Sequence, residues 1–487
     1  MVDRLRLSIL LVTVLVTMSA AALADDQSVC RPSEPLQAGA AAVCVTPPEG
    51  TSLLGYFMKI GDVKTVHDDL HAKALVLDDG KSRIALVICD MTVIGERTFG
   101  WAKKLIEKRA GLPSENVLMA CTHTHSACRV PLLQSDEDLR YVDQLAKGLA
   151  ESVCLAVDNL APAEIAVGSV DIPEYAFNRR WYMKPESIPA DPFGVKQDRV
   201  RFNPPRGHAD LIKPAGPVDP EVSILAIRHT DGRPLAVLAN YSLHYVGGFK
   251  RAEVSADYFG VFARKIEEFL DATSVQPAFV GMMSNATSGN IGAGTDFRTK
   301  KSKTYAPYER MEEVGTNIAE KVAHAMQQFK YERTVRVDSL ESTIELATRR
   351  PDADRLAWAK EVLANPKAKP RHHWTRNYAQ EALYLHEWPA TVPVKLQAFR
   401  IGDCLIGTVP SEVFAETGLA IKAAAPTENA FVIELANQYY GYLPTPEQHA
   451  LGGYETWDAR SSSLAVDAET EIRATLISLM RQVSEGP

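Results

Sequence analysis

Residues 117–126 read VLMACTHTHS, an apolar segment that runs without a break into hydroxyl and imidazole side chains. The apolar part, 117–121, predicts a short buried strand, because it is brief, continuous and bounded by polar residues. Sites in open α/β sheets commonly form where strands end, so the polar part is a candidate for chemistry. His123 and His125 flank a single threonine, and in an extended chain both imidazoles would point to one side.

On either side of this stretch, apolar runs alternate with amphipathic segments. Strands are predicted at 72–77, 83–90, 165–170, 222–228, 235–241 and 278–283, and helices at 98–110, 141–157, 258–270 and 308–329. From residue 335 the pattern predicts a strand, a helix near 354–363, a polar stretch up to Trp388, strands at 394–401, 404–409 and 431–435, and a closing helix at 468–483. This alternation predicts an α/β fold, with a mixed β-sheet core flanked by helices and the site at strand ends.

Length and composition bound the class of protein. The chain has 487 residues, 46% hydrophobic and 23% charged, which excludes a disordered chain, a collagen and a polytopic membrane protein. A net charge of −8 and a pI near 5.9 argue against a nucleic-acid partner. The Pro-rich region 185–217 predicts a long surface loop, and the change of pattern near 330–390 marks a potential subdivision of one domain, 25–487.

The first 24 residues predict a signal peptide. Arg4 and Arg6 precede an apolar run, 7–16, and Ala22-Leu23-Ala24 supplies a small-x-small cleavage pattern before Asp25. The alternative is an uncleaved anchor, although the run is short for a membrane span. We therefore expect cleavage after Ala24 and a secreted or periplasmic protein.

The seven cysteines do not predict a metal site. Cys30 and Cys44 are close enough in sequence to bridge in an oxidising compartment. The odd number leaves at least one thiol that is free or pairs between chains. No CxxC occurs, so a thiolate zinc site is not favoured.

Polar candidates recur after other predicted strands. His244 ends one strand, Glu412 follows another after a Val-Pro-Ser turn, and 437–442 (NQYYGY) follows a third. Each has an ordinary structural explanation: a hydrogen-bonded core histidine, a first-turn glutamate that answers a helix dipole, and aromatic packing. For the pair His123 and His125, the alternative is one buried and one exposed ring. All these candidates lie at strand ends, which favours a common site. Neutral imidazole is a preferred zinc ligand, so the histidines among them point to zinc.

In these segments the chain resembles the neutral/alkaline non-lysosomal ceramidases, zinc-dependent amidases that cut the N-acyl bond of ceramide. The resemblance runs from Ala38 to about Glu455, and the chain stops near where the family enzymes begin an immunoglobulin-like C-terminal domain. The matching segments are AGAAAV at 38–43, TPP at 46–48, Gly55-Tyr56, AKALVLDDG at 72–80, THTHS at 122–126, Asn178-Arg179, SADY at 255–258, NQYYGY at 437–442, TPE at 445–447 and Tyr454-Glu455.

Carried over by position, the resemblance implies zinc ligands His123, His244, Glu412 and Tyr442. It further implies that His125, Arg179 and Tyr454 surround the scissile carbonyl. Ser288, within NATSGN at 285–290, falls where the family has the serine of a Gly-Asp-x-Ser-Pro-Asn loop, so the resemblance implies a catalytic role for Ser288 as well. The chain departs from the family pattern after THTHS, where Ala127-Cys128 replaces Gly-Pro, and at 411–413, where Ser-Glu-Val replaces a Gly-Glu-Phe type segment.

This ligand set has a coherent chemistry. Zinc lowers the pKa of a bound water towards ~7, and the resulting hydroxide attacks an amide carbonyl. His125 could carry the proton to the leaving amine, and Arg179 and Tyr454 could donate to the oxyanion. The structural alternatives are a surface salt bridge for Arg179 and packing against the Gly452-Gly453 turn for Tyr454.

The sequence therefore predicts a secreted, ceramidase-like zinc amidohydrolase that acts in sphingolipid metabolism on a small-molecule or lipid N-acyl substrate, with peripheral contact to membrane lipid. The aromatic residues between Trp358 and Trp388 could shape either an apolar pocket or a polar cleft. Two rivals remain: a metal-dependent esterase or amidase for a smaller substrate, and a non-catalytic envelope binding protein. A serine hydrolase is disfavoured because no Gly-x-Ser-x-Gly elbow occurs.

Overall fold

The computed structural model describes residues 35–54, 59–133, 135–300, 303–365, 367 and 372–486. The predicted signal peptide, Cys30 and Gly55-Tyr56 lie outside the described residues. Cleavage after Ala24 and a bridge between Cys30 and Cys44 therefore stay predictions.

The described residues contain strands and helices in mixed order. The strands are β1 (Gln37–Cys44), β2 (Ser52–Leu54), β3 (Lys59–Asp62), β4 (Thr65–Val66), β5 (His71–Asp78), β6 (Arg83–Cys89), β7 (Val117–Cys121), β8 (Ala161–Asp171), β9 (Arg180–Met183), β10 (Val200–Phe202), β11 (Leu211–Pro214), β12 (Glu221–His229), β13 (Pro234–Tyr241), β14 (Glu253–Val254), β15 (Val280–Asn285), β16 (Val337–Ala347), β17 (Thr391–Ile401), β18 (Cys404–Val409), β19 (Glu412–Val413), β20 (Ala430–Glu434) and β21 (Tyr442–Leu443). The helices are α1 (Glu96–Ala110), α2 (Asp136–Asp158), α3 (Asp257–Phe269), α4 (Glu309–Met326), α5 (Ala353–Ala364), α6 (Thr375–Glu387), α7 (Ala415–Ala424), α8 (Pro446–Leu451) and α9 (Ala468–Glu485).

Two mixed sheets form the core. The larger has eight strands in the order β15-β13-β12-β8-β1-β5-β6-β7, and the smaller has four in the order β16-β17-β18-β20. Parallel pairing occurs between β6 and β7, between β13 and β15, and between β18 and β20. Because parallel strands end at the same edge of a sheet, the loops that follow these pairs are brought together there.

The sheets stack face to face, with helices outside. Leu86 of the large sheet shares an apolar cluster with Ile406 of the small one. The opposite face of the large sheet is covered by α1 and α2 in one half and by α3 and α4 in the other. Helix α9 packs on the far face of the small sheet through Leu476. Successive side chains of a strand point to opposite faces of its sheet, so alternate residues pack in the layer between the two sheets and in the layer under the helices.

This arrangement confirms the α/β fold with a mixed sheet flanked by helices. Three local predictions were wrong. The polar stretch before Trp388 contains α6, whose Tyr378 and Leu385 are buried, and the region 185–217 contributes β10 and β11 to a small sheet. Glu412 lies in β19 and not in the first turn of a helix, since α7 begins only at Ala415.

Within the described residues, no helix has both the length and the apolar character needed to cross a membrane.

Lys103 on α1 carries a buried amine, and its effect on the stability of the fold depends on pH. Its side chain is 4% exposed, and its Nζ donates to the carbonyl of Ser114 at 3.2 Å. Burial, together with the nearby Lys395 ammonium, lowers the pKa of Lys103 to about 7. Between pH 7 and the ordinary lysine range the unfolded chain therefore binds more protons than the folded one, so stability rises with pH at up to ~1.4 kcal/mol per unit.

We expect Lys103→Met to remove this dependence. Urea unfolding at pH 7 and pH 9 should show the wild type gaining stability relative to the variant by roughly 1–3 kcal/mol. Parallel profiles for the two proteins would show that Lys103 stays protonated in the fold.

Candidate metal centre

The loop after β7 places two imidazoles close together through a backbone turn. His123 has a φ of 64°, in the left-handed region, so the segment is not extended as predicted. The rings converge nevertheless, with their Nε2 atoms 3.2 Å apart. His123 Nδ1 lies 2.8 Å from the carbonyl oxygen of Thr92, which can only accept, so Nδ1 donates and Nε2 is the nitrogen that faces the cluster. A left-handed non-glycine residue of this kind is often found at a functional site.

His244 arrives from the end of β13 and completes a cluster of three imidazoles. One ligating nitrogen from each of His123, His125 and His244 lies within 4.8 Å of the others. His244 Nδ1 is 3.3 Å from the carbonyl oxygen of Ser288, which leaves Nε2 as the available lone pair. His123 and His244 are 0% and 2% exposed, whereas His125 keeps 9%.

Glu412 faces the same nitrogens. Its Oε2 lies 3.4 Å from His123 Nε2 and 3.8 Å from His244 Nε2, and its Oε1 accepts from the Tyr439 hydroxyl at 2.6 Å. Burial by itself would raise the pKa of Glu412, but the imidazoles and the Tyr439 hydroxyl hold it well below its usual range. The carboxyl is therefore ionised at neutral pH.

Burial has the opposite effect on two of the histidines. It lowers the pKa of His125 and of His244 well below the usual range; Arg179 acts in the same direction, and Glu412 opposes it. Both rings are neutral at pH 7, which is the form that binds metals.

Tyr442 stands beside Glu412 across a parallel strand pair, in which β19 and β21 align the two residues directly. Burial raises the pKa of Tyr442 well above the usual tyrosine range, and Glu412 acts in the same direction, while Arg179 opposes both. The Arg179 guanidinium carbon lies 5.3 Å from the centroid of the Tyr442 ring. Because an opposite charge favours the ionised form of a group, Arg179 would favour the phenolate form of Tyr442.

Arg179 is fixed on two sides. Its Nε donates to Glu455 Oε1 at 3.1 Å, and its Nη2 donates to the carbonyl of Gly289 at 2.6 Å. Glu455 is itself held by Arg180 at 2.7 Å, and all three side chains are buried. The alternative of a surface salt bridge for Arg179 is therefore wrong.

Tyr454 lies in an aromatic cluster and is 6% exposed. Its ring centroid is 5.7 Å from that of Tyr442, 4.6 Å from Phe202 and 5.2 Å from Trp374. The cluster brings Trp374, one of the aromatic residues noted before Trp388, up to the site. Tyr384, another aromatic residue between Trp358 and Trp388, is 39% exposed and lies at the surface.

Ser288 lies behind His244. Its hydroxyl donates to Glu434 Oε1 at 2.5 Å and is 3.5 Å from His244 Nδ1, and the side chain is fully buried. Burial, reinforced by the Glu412 carboxylate, raises the pKa of Glu434 well above its usual range, although hydrogen bonds oppose this.

Several residues of this site were not predicted. Tyr439 and Glu455 belong to quoted segments, but nothing in the sequence distinguished them from their neighbours. Tyr245, the residue after His244, stacks on the His125 ring at 3.7 Å. Glu434 carried the clearest signal, because a lone acid inside an otherwise apolar buried strand is costly unless it has partners.

The donor set fits a metal ion. Bonds of about 2.0–2.2 Å from a tetrahedral zinc ion to nitrogen and oxygen place its ligand atoms roughly 3.3–3.6 Å apart. The separations from Glu412 Oε2 to His123 Nε2 and to His244 Nε2, 3.4 and 3.8 Å, are close to that range. Two imidazoles and one carboxylate, with Tyr442 aligned beside Glu412, could hold a divalent cation.

Comparison with known proteins identifies the group to which this architecture belongs. Residues 37–305, more than half of the chain, match the neutral/alkaline non-lysosomal ceramidase N-terminal family. The fold is similar to a crystal structure of neutral ceramidase from Pseudomonas aeruginosa, with a TM-score of 0.68 and 17% identity over 93% of this chain and 75% of that one. It is also similar to a ceramidase complexed with C2, with a TM-score of 0.66 and 17% identity over 93% and 76% of the two chains. The chain therefore belongs to the neutral/alkaline non-lysosomal ceramidase family.

Proposed function

We propose that this protein is a secreted zinc-dependent amidohydrolase that cleaves the N-acyl bond of a ceramide-type lipid. The observation that carries the proposal is the convergence of His123, His244 and Glu412, with separations of 3.4 and 3.8 Å from the carboxylate to the two rings. Family membership supports a ceramidase-type hydrolase. The zinc ion, the substrate and secretion are the parts that we add.

The ligands would be His123, His244, Glu412 and Tyr442. When bound, zinc supplies Lewis-acid activation of a water molecule at neutral pH. The protein's part is to keep the two Nε2 atoms directed inward, through the hydrogen bonds from Nδ1 to the carbonyls of Thr92 and Ser288.

Arg179 and Tyr454 would stabilise the oxyanion. Arg179 is already oriented by Glu455 and by the carbonyl of Gly289, so little reorganisation is needed during the reaction. A preorganised donor of this type contributes about 3–4 kcal/mol to transition-state stabilisation. Tyr454, packed in its aromatic cluster, has its ring held in place in the same way.

His125 would move the proton. Its lowered pKa leaves the ring neutral at pH 7, so it can take a proton from the attacking water and deliver it to the leaving amine. The stacked Tyr245 ring holds the imidazole in position. His125 is also the most exposed of the three histidines, as a group that meets substrate should be.

A lipid is favoured over a small polar compound because aromatic residues dominate the surroundings of Tyr454. Peripheral contact with membrane lipid would follow from such a substrate. An esterase or an amidase for a smaller compound uses the same carbonyl chemistry, so only a substrate comparison separates them. A non-catalytic envelope binding protein would retain the fold without hydrolysis.

The test is metal content together with a substrate series. We expect one zinc per chain by elemental analysis, loss of hydrolysis after chelation and recovery on adding zinc. N-acyl sphingosines and N-acyl amines of graded chain length should show kcat/KM rising with acyl length, and the matched esters serve as the control. Stoichiometric zinc without hydrolysis of any of these would favour the binding protein, and a preference for short polar amides would reject the lipid assignment.

A further inference from the structure

Glu434 is a buried acid whose two oxygens are both engaged. It is the last residue of β20, it is fully buried, and its neighbours in the strand are apolar. Oε1 accepts from the Ser288 hydroxyl at 2.5 Å, and Oε2 accepts from the backbone N–H of Val413 at 2.6 Å. One side chain therefore ties the loop after β15 to strand β19.

The first contact leads to His244. Ser288 is held by Glu434 through its hydroxyl, and its carbonyl oxygen accepts from His244 Nδ1 at 3.3 Å. That carbonyl determines which ring nitrogen carries the proton and in which direction Nε2 points. A shift of Ser288 would consequently rotate the His244 ring relative to the Glu412 carboxylate.

The second contact leads to Glu412. Val413 N belongs to the peptide that follows Glu412, so the bond from Glu434 fixes the backbone from which the Glu412 side chain projects. The loop adds to this, since Gly289 N donates to the carbonyl of Val413 at 2.7 Å. A Cβ at position 289 would collide with the carbonyl oxygen of Glu412, so glycine is required for this close approach.

We propose that Glu434 is a positioning residue of the candidate metal centre, which aligns His244 through Ser288 and Glu412 through Val413. It does not contact the substrate in this role. The inference rests on the proposed function for the identity of the two ligands. It also assigns Ser288 a positioning role, in place of the catalytic one that the family resemblance implied.

The expected size of the effect follows from known outer-shell groups. Removing a hydrogen-bond partner that orients a metal ligand usually weakens metal binding by about 10–100-fold. Because Glu434 acts on two ligands from different elements, we expect Glu434→Ala to lie in this range. Glu434→Gln should stay within about threefold of the wild type, since its oxygen can accept from Val413 and its amide can donate to the Ser288 oxygen.

The experiment measures zinc affinity by competition with a chromophoric chelator, on the full chain, for the wild type, Glu434→Ala and Glu434→Gln. The visible spectrum of the cobalt-substituted proteins reports the coordination geometry independently of turnover. Glu469→Ala is the matched control, because Glu469 is 1% exposed and accepts from the Thr417 hydroxyl at 2.8 Å, as Glu434 does from Ser288. Thermal unfolding of the metal-free proteins measures purely structural loss.

The inference holds if Glu434→Ala weakens zinc binding and alters the cobalt spectrum, if Glu434→Gln restores both, and if Glu469→Ala changes only thermal stability. It is overturned if Glu434→Ala binds zinc as tightly as the wild type, or if Glu469→Ala weakens binding equally. Should Glu434→Ala fail to fold, an unchanged zinc affinity in Ser288→Ala would overturn it instead. The proposed function is judged separately, on whether the wild type binds zinc and hydrolyses N-acyl amides; a wild type that binds no metal removes both.

Discussion

Replacing Glu412 with alanine should abolish zinc binding and hydrolysis together. The carboxylate is fully buried and lies 3.4 and 3.8 Å from the Nε2 atoms of His123 and His244. Without it, the proposed ligand set would lose its carboxylate, and a dication would be held in a desolvated site with less compensating charge. We expect zinc affinity to fall by more than the 10–100-fold that an outer-shell change costs, and turnover to become undetectable.

Elemental analysis and chelator competition measure the first effect, and release of the amine product measures the second. His123→Ala should behave in the same way. Tyr439→Phe is the matched comparison, because it removes the hydroxyl that donates to Glu412 Oε1 and leaves the carboxylate in place, so zinc binding should weaken by no more than about the 10–100-fold of an outer-shell change. Retention of a full equivalent of zinc by Glu412→Ala would show that the metal centre uses other ligands.

Local sequence patterns predicted most of the elements around these residues. The run 117–121 was expected as a strand and is β7, because a short apolar segment that ends in polar residues has few other ways to bury its side chains. The clustering of polar residues at strand ends followed from the same reasoning. Both inferences depend on residues that are close in sequence.

The stacking of two sheets could not be predicted in this way. The four-stranded sheet lies on the large one through side chains such as Phe399 and Leu75, which are far apart in the chain. The strand β5 is mostly apolar and β17 alternates apolar and polar residues, but neither pattern indicates which sheet the strand packs against. Helix α6 was missed because its polar positions and aromatic residues conceal the helical spacing of Tyr378, Ala382 and Leu385, which only packing against α5 and its surroundings explains.

The sequence predicted which residues form the site better than it predicted how they are arranged. The residues named from the resemblance do meet, but their roles as ligands and catalysts stay predictions. The turn at His123 depends on a left-handed backbone, which no pattern in THTHS indicates. Glu434 and Tyr439 act on partners from other strands, so their roles became apparent only when the strand ends were brought together.

The three histidines can be assigned different roles, as metal ligands or as the group that transfers a proton. His123 and His244 each have one nitrogen bound to a carbonyl and the other facing Glu412. His125 is stacked on Tyr245, and its Nε2 lies 3.2 Å from His123 Nε2, a distance that would also suit a third imidazole ligand. Geometry therefore admits two roles for His125, and they lead to different outcomes in a variant.

We expect His125→Ala to retain zinc within about tenfold of the wild-type affinity. It should lose turnover by about 100- to 10,000-fold, the usual contribution of general acid–base catalysis. The reason is that Tyr442, aligned beside Glu412, would be the fourth donor of the proposed ligand set, so the metal would not need the third imidazole. Parallel measurement of zinc content and kcat, with His123→Ala in the same assays, distinguishes the two roles.

Tyr245→Phe provides the control, since it keeps the ring that stacks on His125 and should leave both zinc content and turnover near the wild-type values. If His125→Ala and His123→Ala lose zinc to the same extent, His125 is a ligand and the proton must be carried by another group. If His125→Ala keeps both zinc and turnover, the imidazole has neither role. Loss of turnover with the metal retained would assign proton transfer to His125. The ring would then be dispensable for zinc binding but required for the reaction itself.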